Sequence, residues 1–436
     1  MKVPMETAQQ TTLGMLRVLI LALSTCVACA AHTGKVDMEF VPTIPVVHID
    51  VEGGDTPARE PRDAVLILDG QRYQARIKVR GSSSAFFPKK QFTLKLRAGD
   101  SDLEVGLMGM AKASSWVLAG PYVDKTLIKN VLGLSQARQL FPWAPQTRWM
   151  ELILNGDYHG VYALTEKIQR GRHKMNVPSV EDGGFILCVD AGDPPYVESK
   201  QGTRYTLVYP EGKDGEISPR VMSWLREWLS AFEASLPTAS YTRYIHEESF
   251  IDFFLQQELW KNIDAFRKSM YLYKDVDQKV HMGPSWDFDL GGAGESIYGG
   301  TRPEGWRHAR LDYVWPSADY VAWFNELLQH PGYRRHVIAR WKQLRKRGGV
   351  FSDARLRAMI DENIQVLSKG PASRNFSRWK LINRPIFPLV FFTVLPIYGT
   401  WEGEVGRSEK FFLDRARWID ANIEDVGKFK EGQLTY

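Results

Sequence analysis

The sequence has little cysteine. There are three in 436 residues, and two of these, Cys26 and Cys29, fall inside an apolar N-terminal stretch. With that stretch removed only Cys188 is left, so an intrachain disulfide framework is excluded. Cys188 lies in the strand-like GGFILCVD with nothing nearby to lower its pKa, and it reads as a small buried apolar residue rather than a reactive thiol. Long hydrophobic runs are missing too. VLILALSTCVACA is shorter than the ~20 residues a membrane span requires, and FPLVFFTVLPIYG is interrupted by prolines. No internal repeat and no long Gly/Ser or Pro linker divides the chain, which favours one large unit over a solenoid or a string of domains. An excess of one charge is also lacking: 56 Lys and Arg face 51 Asp and Glu, a net charge of +5. The basic residues are scattered among the acidic ones rather than gathered in a stripe, so nucleic acid is not an implied partner.

What is present is a 44% hydrophobic and 12% aromatic composition, ample for a substantial core. Arg17 precedes the apolar N-terminal run, and Ala28-Cys29-Ala30 fits the small-residue cleavage rule. Residues 1–30 therefore read as a secretory signal peptide, with a secreted or cell-surface location expected. Lipid attachment at Cys26 or Cys29 is the competing outcome, although neither LSTC nor CVAC is a good lipid-attachment sequence.

From Val41 to about Leu96 the segments VPTIPVVHIDV, AVLILDG, QARIKVRG and QFTLKL are short, β-rich and separated by turn residues, predicting a sheet. Asp124 is placed to cap a helix over KTLIKNVLGLSQARQL. RWMELILNG and GVYALTEKI flank Asn155-Gly156, a strong hairpin signal tempered by the longer loop to Gly160. Beyond Asp190 the pattern turns helical. SPRVMSWLREWLSAFEASL and ESFIDFFLQQELWKN read as amphipathic helices, the second with Ile251, Phe254, Leu255 and Leu259 on one stripe, and SEKFFLDRARWIDANI carries Phe412, Ala416 and Ile419. Sheet first and helices afterwards predicts an α+β fold, with a sheet-rich region over 36–190 and a helix-rich region over 191–436.

The chemistry concentrates at NIDAFRKS and GPSWDFDL. A helix ends near Asn262 and runs into Asp264; two strand-like pieces, MYLYKD and KVHMGPSW, follow, and then comes Asp287. An extended backbone would aim Asp287 and Asp289 to one side. Helix, acidic loop, β-hairpin and acidic loop is also the order in a protein kinase, where the first Asp accepts the proton of the substrate hydroxyl and the second binds Mg²⁺ on the phosphates. Phosphoryl transfer needs cationic groups around the phosphates, and Arg80, Ser83, Lys90 and Lys95 in and beside RGSSSAFFPKK are the candidates. Each element also has a plain structural explanation. Asp264 is equally a helix-terminal loop acid, RGSSS an ordinary hairpin, and Lys89 and Lys90 exposed charges at a strand start.

VRGSSSAFFPKKQFTLKL, YVDKTLIKN, ELILNGDYHGVYALTEKI, DAFRKSMYLYKD and GPSWDFDL resemble successive motifs of the spore coat protein H (CotH) kinase family, atypical secreted or surface kinases. The resemblance implies a two-lobed protein kinase-like core over 36–436, ATP with Mg²⁺ or Mn²⁺, and phosphorylation of Ser or Thr in a protein acceptor. It further implies Asp264 as the catalytic-loop acid, Asp287 as a metal ligand, and Lys and Arg of the first motif as phosphate contacts. Where a kinase loop has a metal-binding Asn five positions after its Asp, this chain has Ser269, a weaker ligand; Asp289 is the candidate substitute. Two other readings stay open: a noncatalytic surface-binding module of the same fold, and a glycosidase using two of the acids, with the 14 tryptophans as sugar platforms.

Overall fold

The computed structural model describes residues 41–190, 195–212, 217–293, 299–309, 321–384 and 398–428. The signal segment over 1–30, with Cys26 and Cys29, lies outside them. Strands β1 (Val46–Val51), β2 (Arg62–Leu68), β3 (Gln71–Arg80), β4 (Gln91–Ala98), β5 (Ser101–Asp102), β6 (Ser115–Ala119), β7 (Thr147–Leu154) and β8 (Asp157–Glu166) form the first layer. Buried and exposed residues alternate along β2, β3 and β4, the period of a half-buried strand. The sheet expected from these segments is present, and it is closed. In the order β3-β2-β1-β7-β8-β6-β4 its ends meet, because β3 pairs with β4, and it closes into a barrel. Ile49, Leu66, Ile77, Leu94, Trp116 and Leu152 fill it.

Local turn chemistry sets two of the hairpins. Asp69-Gly70 joins β2 to β3, and Asn155-Gly156 joins β7 to β8, all four residues at positive φ (49°, 74°, 50° and 77°). That is the backbone a tight two-residue hairpin requires. Asn155 also ties its turn to the end of β1, accepting the Val51 amide at 2.7 Å.

Between β6 and β7 runs helix α1 (Lys129–Leu140). The helix begins at Lys129, with Ile128 rather than Asp124 at its N-cap, but the Asp124 carboxylate still reaches it, accepting the amides of Thr126 and Lys129, both at 2.9 Å. A second sheet, β10-β11-β9-β12-β13, is antiparallel throughout. It takes β9 (Phe185–Val189) from before Asp190, and β10 (Tyr196–Glu198), β11 (Arg204–Tyr209), β12 (Met270–Lys274) and β13 (Val280–Ser285) from after it. Helices α2 (Pro219–Ser235), α3 (Glu247–Trp260), α4 (Trp323–Leu327), α5 (Pro331–Arg345), α6 (Asp353–Leu367), α7 (Pro371–Arg378) and α8 (Trp401–Asn422) complete an α+β architecture. Among the described residues no helix is long and apolar enough to cross a membrane.

Helix α3 departs from its amphipathic expectation, for every residue from Ser249 to Trp260 is buried. Its polar residues are inside because distant partners satisfy them. Asp252 takes a bidentate pair from Arg340 (2.7 and 2.7 Å), Gln256 donates to the Gly133 carbonyl at 2.9 Å, and Glu258 meets Arg415 at 2.8 Å. A buried charge is tolerable only with such partners.

Helix α7 docks on the barrel. Arg374 grips the fully buried Glu151 of β7 with two bonds, at 2.8 and 2.7 Å, while Arg378 reaches Asp157 at 2.6 Å. Asn375 accepts both the Val161 amide (3.1 Å) and Lys89 Nζ (2.8 Å). Lys89 is thus buried at 1% exposure, not an exposed strand-start charge, and burial drives its pKa well down although Asp124 opposes the shift.

Candidate active site

The expected order is present: α3, a tight loop holding Asp264, the β12–β13 hairpin, then Asp287. Asn262 ties the two loops together. Its side-chain amide donates to the Asp287 carbonyl at 2.9 Å and its oxygen accepts the Asp264 amide at 3.2 Å. Asp264 is half-buried, with the Arg267 guanidinium closed onto its carboxylate.

Asp287 is not on extended backbone. β13 ends at Ser285, and Asp287 sits in the left-handed region at φ 65°. Its carboxyl nevertheless meets that of Asp289 in a hydrogen bond. Burial first, then the charge of Asp264, push Asp287 up to about 6, with Arg80 opposing. Burial and the neighbouring Asp287 and Asp124 push Asp289 well above the usual carboxylate range. Two carboxyl groups this close share a proton instead of both ionising.

Positive φ recurs nearby at Lys261 (44°), Phe266 (66°), Ser269 (53°) and Ala293 (63°). Residues of this kind persist in that region only where surroundings over-determine them, and they cluster at functional sites. Phe288 supplies part of that determination. Its amide donates to Asn130 Oδ1 at 2.7 Å, and its ring packs on Trp260 with centroids 4.6 Å apart. The ring also lies against Gly133 of α1, where an added Cβ would fall 2.3 Å from it. Gly133→Ala is therefore expected to cost about 1–3 kcal/mol in chemical denaturation and to turn Phe288 out of its seat. Faster hydrogen exchange at the Phe288 amide, held in the wild type by Asn130, reports the second effect.

The other candidates are distributed unevenly. Ser269 Oγ donates toward Asp287 Oδ2 (3.4 Å) and Asp190 Oδ2 (3.5 Å), so Ser269 joins the acids. Arg80 lies over the Trp286 ring at 5.6 Å and influences Asp287. Ser83 is exposed in a short 3-10 turn over Ser83–Phe86. Lys90 folds back on its own loop, donating to the Ala85 carbonyl at 2.8 Å, and Lys95 pairs with Asp102 at 2.9 Å on the barrel wall. Neither lysine is among the main influences on Asp287.

Sequence reasoning missed a buried basic group near Asp289, Lys129. It is buried on the first turn of α1, with Nζ 3.9 Å from Asp124, and its charge acts on Asp289. Burial lowers it to about 8, with Asp124 opposing. Asp190, just past β9, is the other omission. YVDKTLIKN contains Lys129, but its depth comes from tertiary packing that no local pattern carries. Cys188 is buried as expected, and burial, with Asp190 adding, drives its thiol well up.

A divalent cation fits this donor set in part. Asp287 and Asp289 offer hard carboxylate oxygens already short of compensating charge. Among the described residues no group of three or more His, Cys, Asp or Glu side chains is arranged to hold a metal.

An α+β scaffold thus gathers Asp264, Asp287, Asp289 and Ser269 where two loops meet. A model of the CotH kinase protein family matches residues 77–419, and the chain belongs to that family. None of the curated proteins matches it significantly.

Proposed function

We propose that the protein is a metal-dependent phosphotransferase that moves the γ-phosphoryl group of ATP to a Ser or Thr hydroxyl of a protein acceptor. The observation that carries this is the junction at Asn262, which fixes the Asp264 and Asp287 loops against each other. The acceptor oxygen attacks the γ-phosphorus, the bond from γ-phosphorus to the β,γ-bridging oxygen breaks, and ADP leaves. Asp264 receives the hydroxyl proton. Asp287 and Asp289 would hold the divalent ion, Mg²⁺ or Mn²⁺, whose chemistry is to neutralise phosphate charge. Lys129 and Arg80 are the basic groups that support the polyanion reading; Ser83, Lys90 and Lys95 remain proposed contacts for its outer phosphates. Under this reading the barrel and the helical part are the two lobes of a kinase-like fold. The apolar N-terminal segment supports secretion or display at the cell surface.

The test mixes the purified protein with labelled ATP, Mn²⁺ or Mg²⁺ and a Ser-rich acceptor. Label transfer, with a phosphate mass increment on the acceptor, is the expected result. No transfer and no nucleotide binding with any cation removes the proposal. A second reading, a noncatalytic binding module, draws on the closure of Arg267 over Asp264. Thermal melting separates the two, because ligand at a hundredfold over its dissociation constant stabilises a binder by about 2.7 kcal/mol. A module without a nucleotide site shows no shift.

Proton linkage gives a further expectation. Asp287 carries its proton up to about 6 in the folded protein against 3.8 for a free carboxyl. The folded state holds more protons across that window, so cation-free stability falls as the pH rises through it. Cation affinity rises over the same window as the proton is displaced. Melting at about pH 5 and about pH 7.5, with and without Mn²⁺, checks both signs, and Asp287→Asn is expected to flatten the cation-free slope.

A further inference from the structure

Arg307 lies well beyond the second acid in sequence, yet its side chain is buried at 1% exposure behind the first. The guanidinium donates through Nε to the Asn262 carbonyl at 3.2 Å and through Nη2 to the Ile263 carbonyl at 2.6 Å. These are the two residues immediately before Asp264. The Arg307 amide is itself anchored on Glu258 Oε2 at 2.8 Å, on the last turn of α3. Charged donors make the stronger class of hydrogen bond, and here they grip a loop whose backbone is left-handed at Lys261, Phe266 and Ser269. For a phenylalanine that conformation is strained and needs outside support. Asn262, gripped through its carbonyl, is also the residue whose side chain joins the two acid loops.

We infer that Arg307 is a positioning residue: by holding the carbonyls of Asn262 and Ile263 it sets where the Asp264 carboxylate stands relative to Asp287. A segment that follows the DFDL motif thereby fixes the loop that precedes it. The effect on rate rests on the phosphotransferase reading, whereas the effect on the loop does not. Misplacing a reacting group by about 1 Å is enough to cost ~10²-fold in rate.

The test compares three variants of the full chain. Arg307→Met keeps the apolar stem and removes the guanidinium, and Arg307→Lys keeps a charge but offers a point donor in place of the fork. Arg340→Met is the control, since it breaks a buried pair with Asp252 on the same helix, two turns away from the loop. Turnover and nucleotide affinity are measured with Mn²⁺, and hydrogen exchange is followed at the amides of residues 261–269. Arg307→Met is expected to lower kcat ~10²-fold with nucleotide affinity kept within about twofold, and to raise exchange in the loop. Arg307→Lys recovers part of both. Arg340→Met lowers the melting temperature but leaves kcat and loop exchange as in the wild type. Equal losses of kcat in Arg307→Met and Arg340→Met, or unchanged loop exchange in Arg307→Met, overturn the inference. Should Arg307→Met fail to fold, Arg307→Lys carries the comparison, with wild-type loop exchange counting against. A wild-type protein that transfers nothing sinks the proposed function, and the exchange data alone then decide the role of Arg307.

Discussion

Asp264→Ala is expected to lower phosphoryl transfer by about 10²–10⁴-fold, the range associated with a positioned acid or base, while nucleotide affinity changes little. Asp287→Ala is expected to abolish transfer for a different reason, by weakening binding of the cation and with it of the nucleotide. A split between kcat and affinity therefore separates the two acids. Their effects on stability separate them further from ordinary structural residues. The charges of Asp264 and Asp190 crowd the Asp287 carboxyl, so removing it relieves repulsion, and the cation-free variant is expected to melt above the wild type near neutral pH. An Asp287→Ala protein that melts lower and still transfers phosphate refutes the assignment. Asp289→Asn tests the remaining ligand: unchanged metal dependence eliminates Asp289 from the cation site.

Glu258→Ala is expected to produce the largest loss of stability, about 3–5 kcal/mol, because it strands charges in the interior. The carboxylate is fully buried and accepts from His308 Nδ1 (2.5 Å), the His308 and Arg307 amides (both 2.8 Å) and Arg415 Nη2 (2.8 Å). Burial alone would raise its pKa, but His308, Arg415 and the Arg307 amide outweigh burial and hold it at about 2. Since the folded value lies below the unfolded one of 4.5, its contribution is present above that pH and is lost as pH falls toward 2. Urea unfolding of Glu258→Ala beside Glu258→Gln, which retains one acceptor, measures the difference. A cost under about 1 kcal/mol for the alanine variant contradicts the account.

How much of this was legible in the sequence depends on the range of the interactions. The Asn155-Gly156 turn and the order around Asp264 and Asp287 are written locally, in turn chemistry and periodicity, and the structure follows them; the helix expected directly after Asp124 begins only at Lys129. Barrel closure is not local: besides the β3–β4 hairpin it depends on the β4–β6, β6–β8 and parallel β1–β7 pairings, and none of these three is announced by a short motif. The side-chain errors share one cause. Lys89 reads as an exposed charge and the helix over Glu247–Trp260 as amphipathic, but Lys89 is buried against the remote Asn375 and the polar residues Asp252 and Glu258 of that helix against the remote Arg340 and Arg415. Lys129 escaped notice for the same reason. Asp287 and Asp289 did come together, though through a left-handed turn rather than the pleat of a strand.

The grip of α7 on the barrel decides how this protein can be divided. Glu151 belongs to the first half of the chain by sequence, while its counter-charge, Arg374, arrives more than two hundred residues later. A fragment ending near Asp190 would contain every barrel strand and still expose a carboxylate built to sit in the dark. Any chimera exchanging barrels between relatives therefore has to carry residues 371–379 along as part of the same graft.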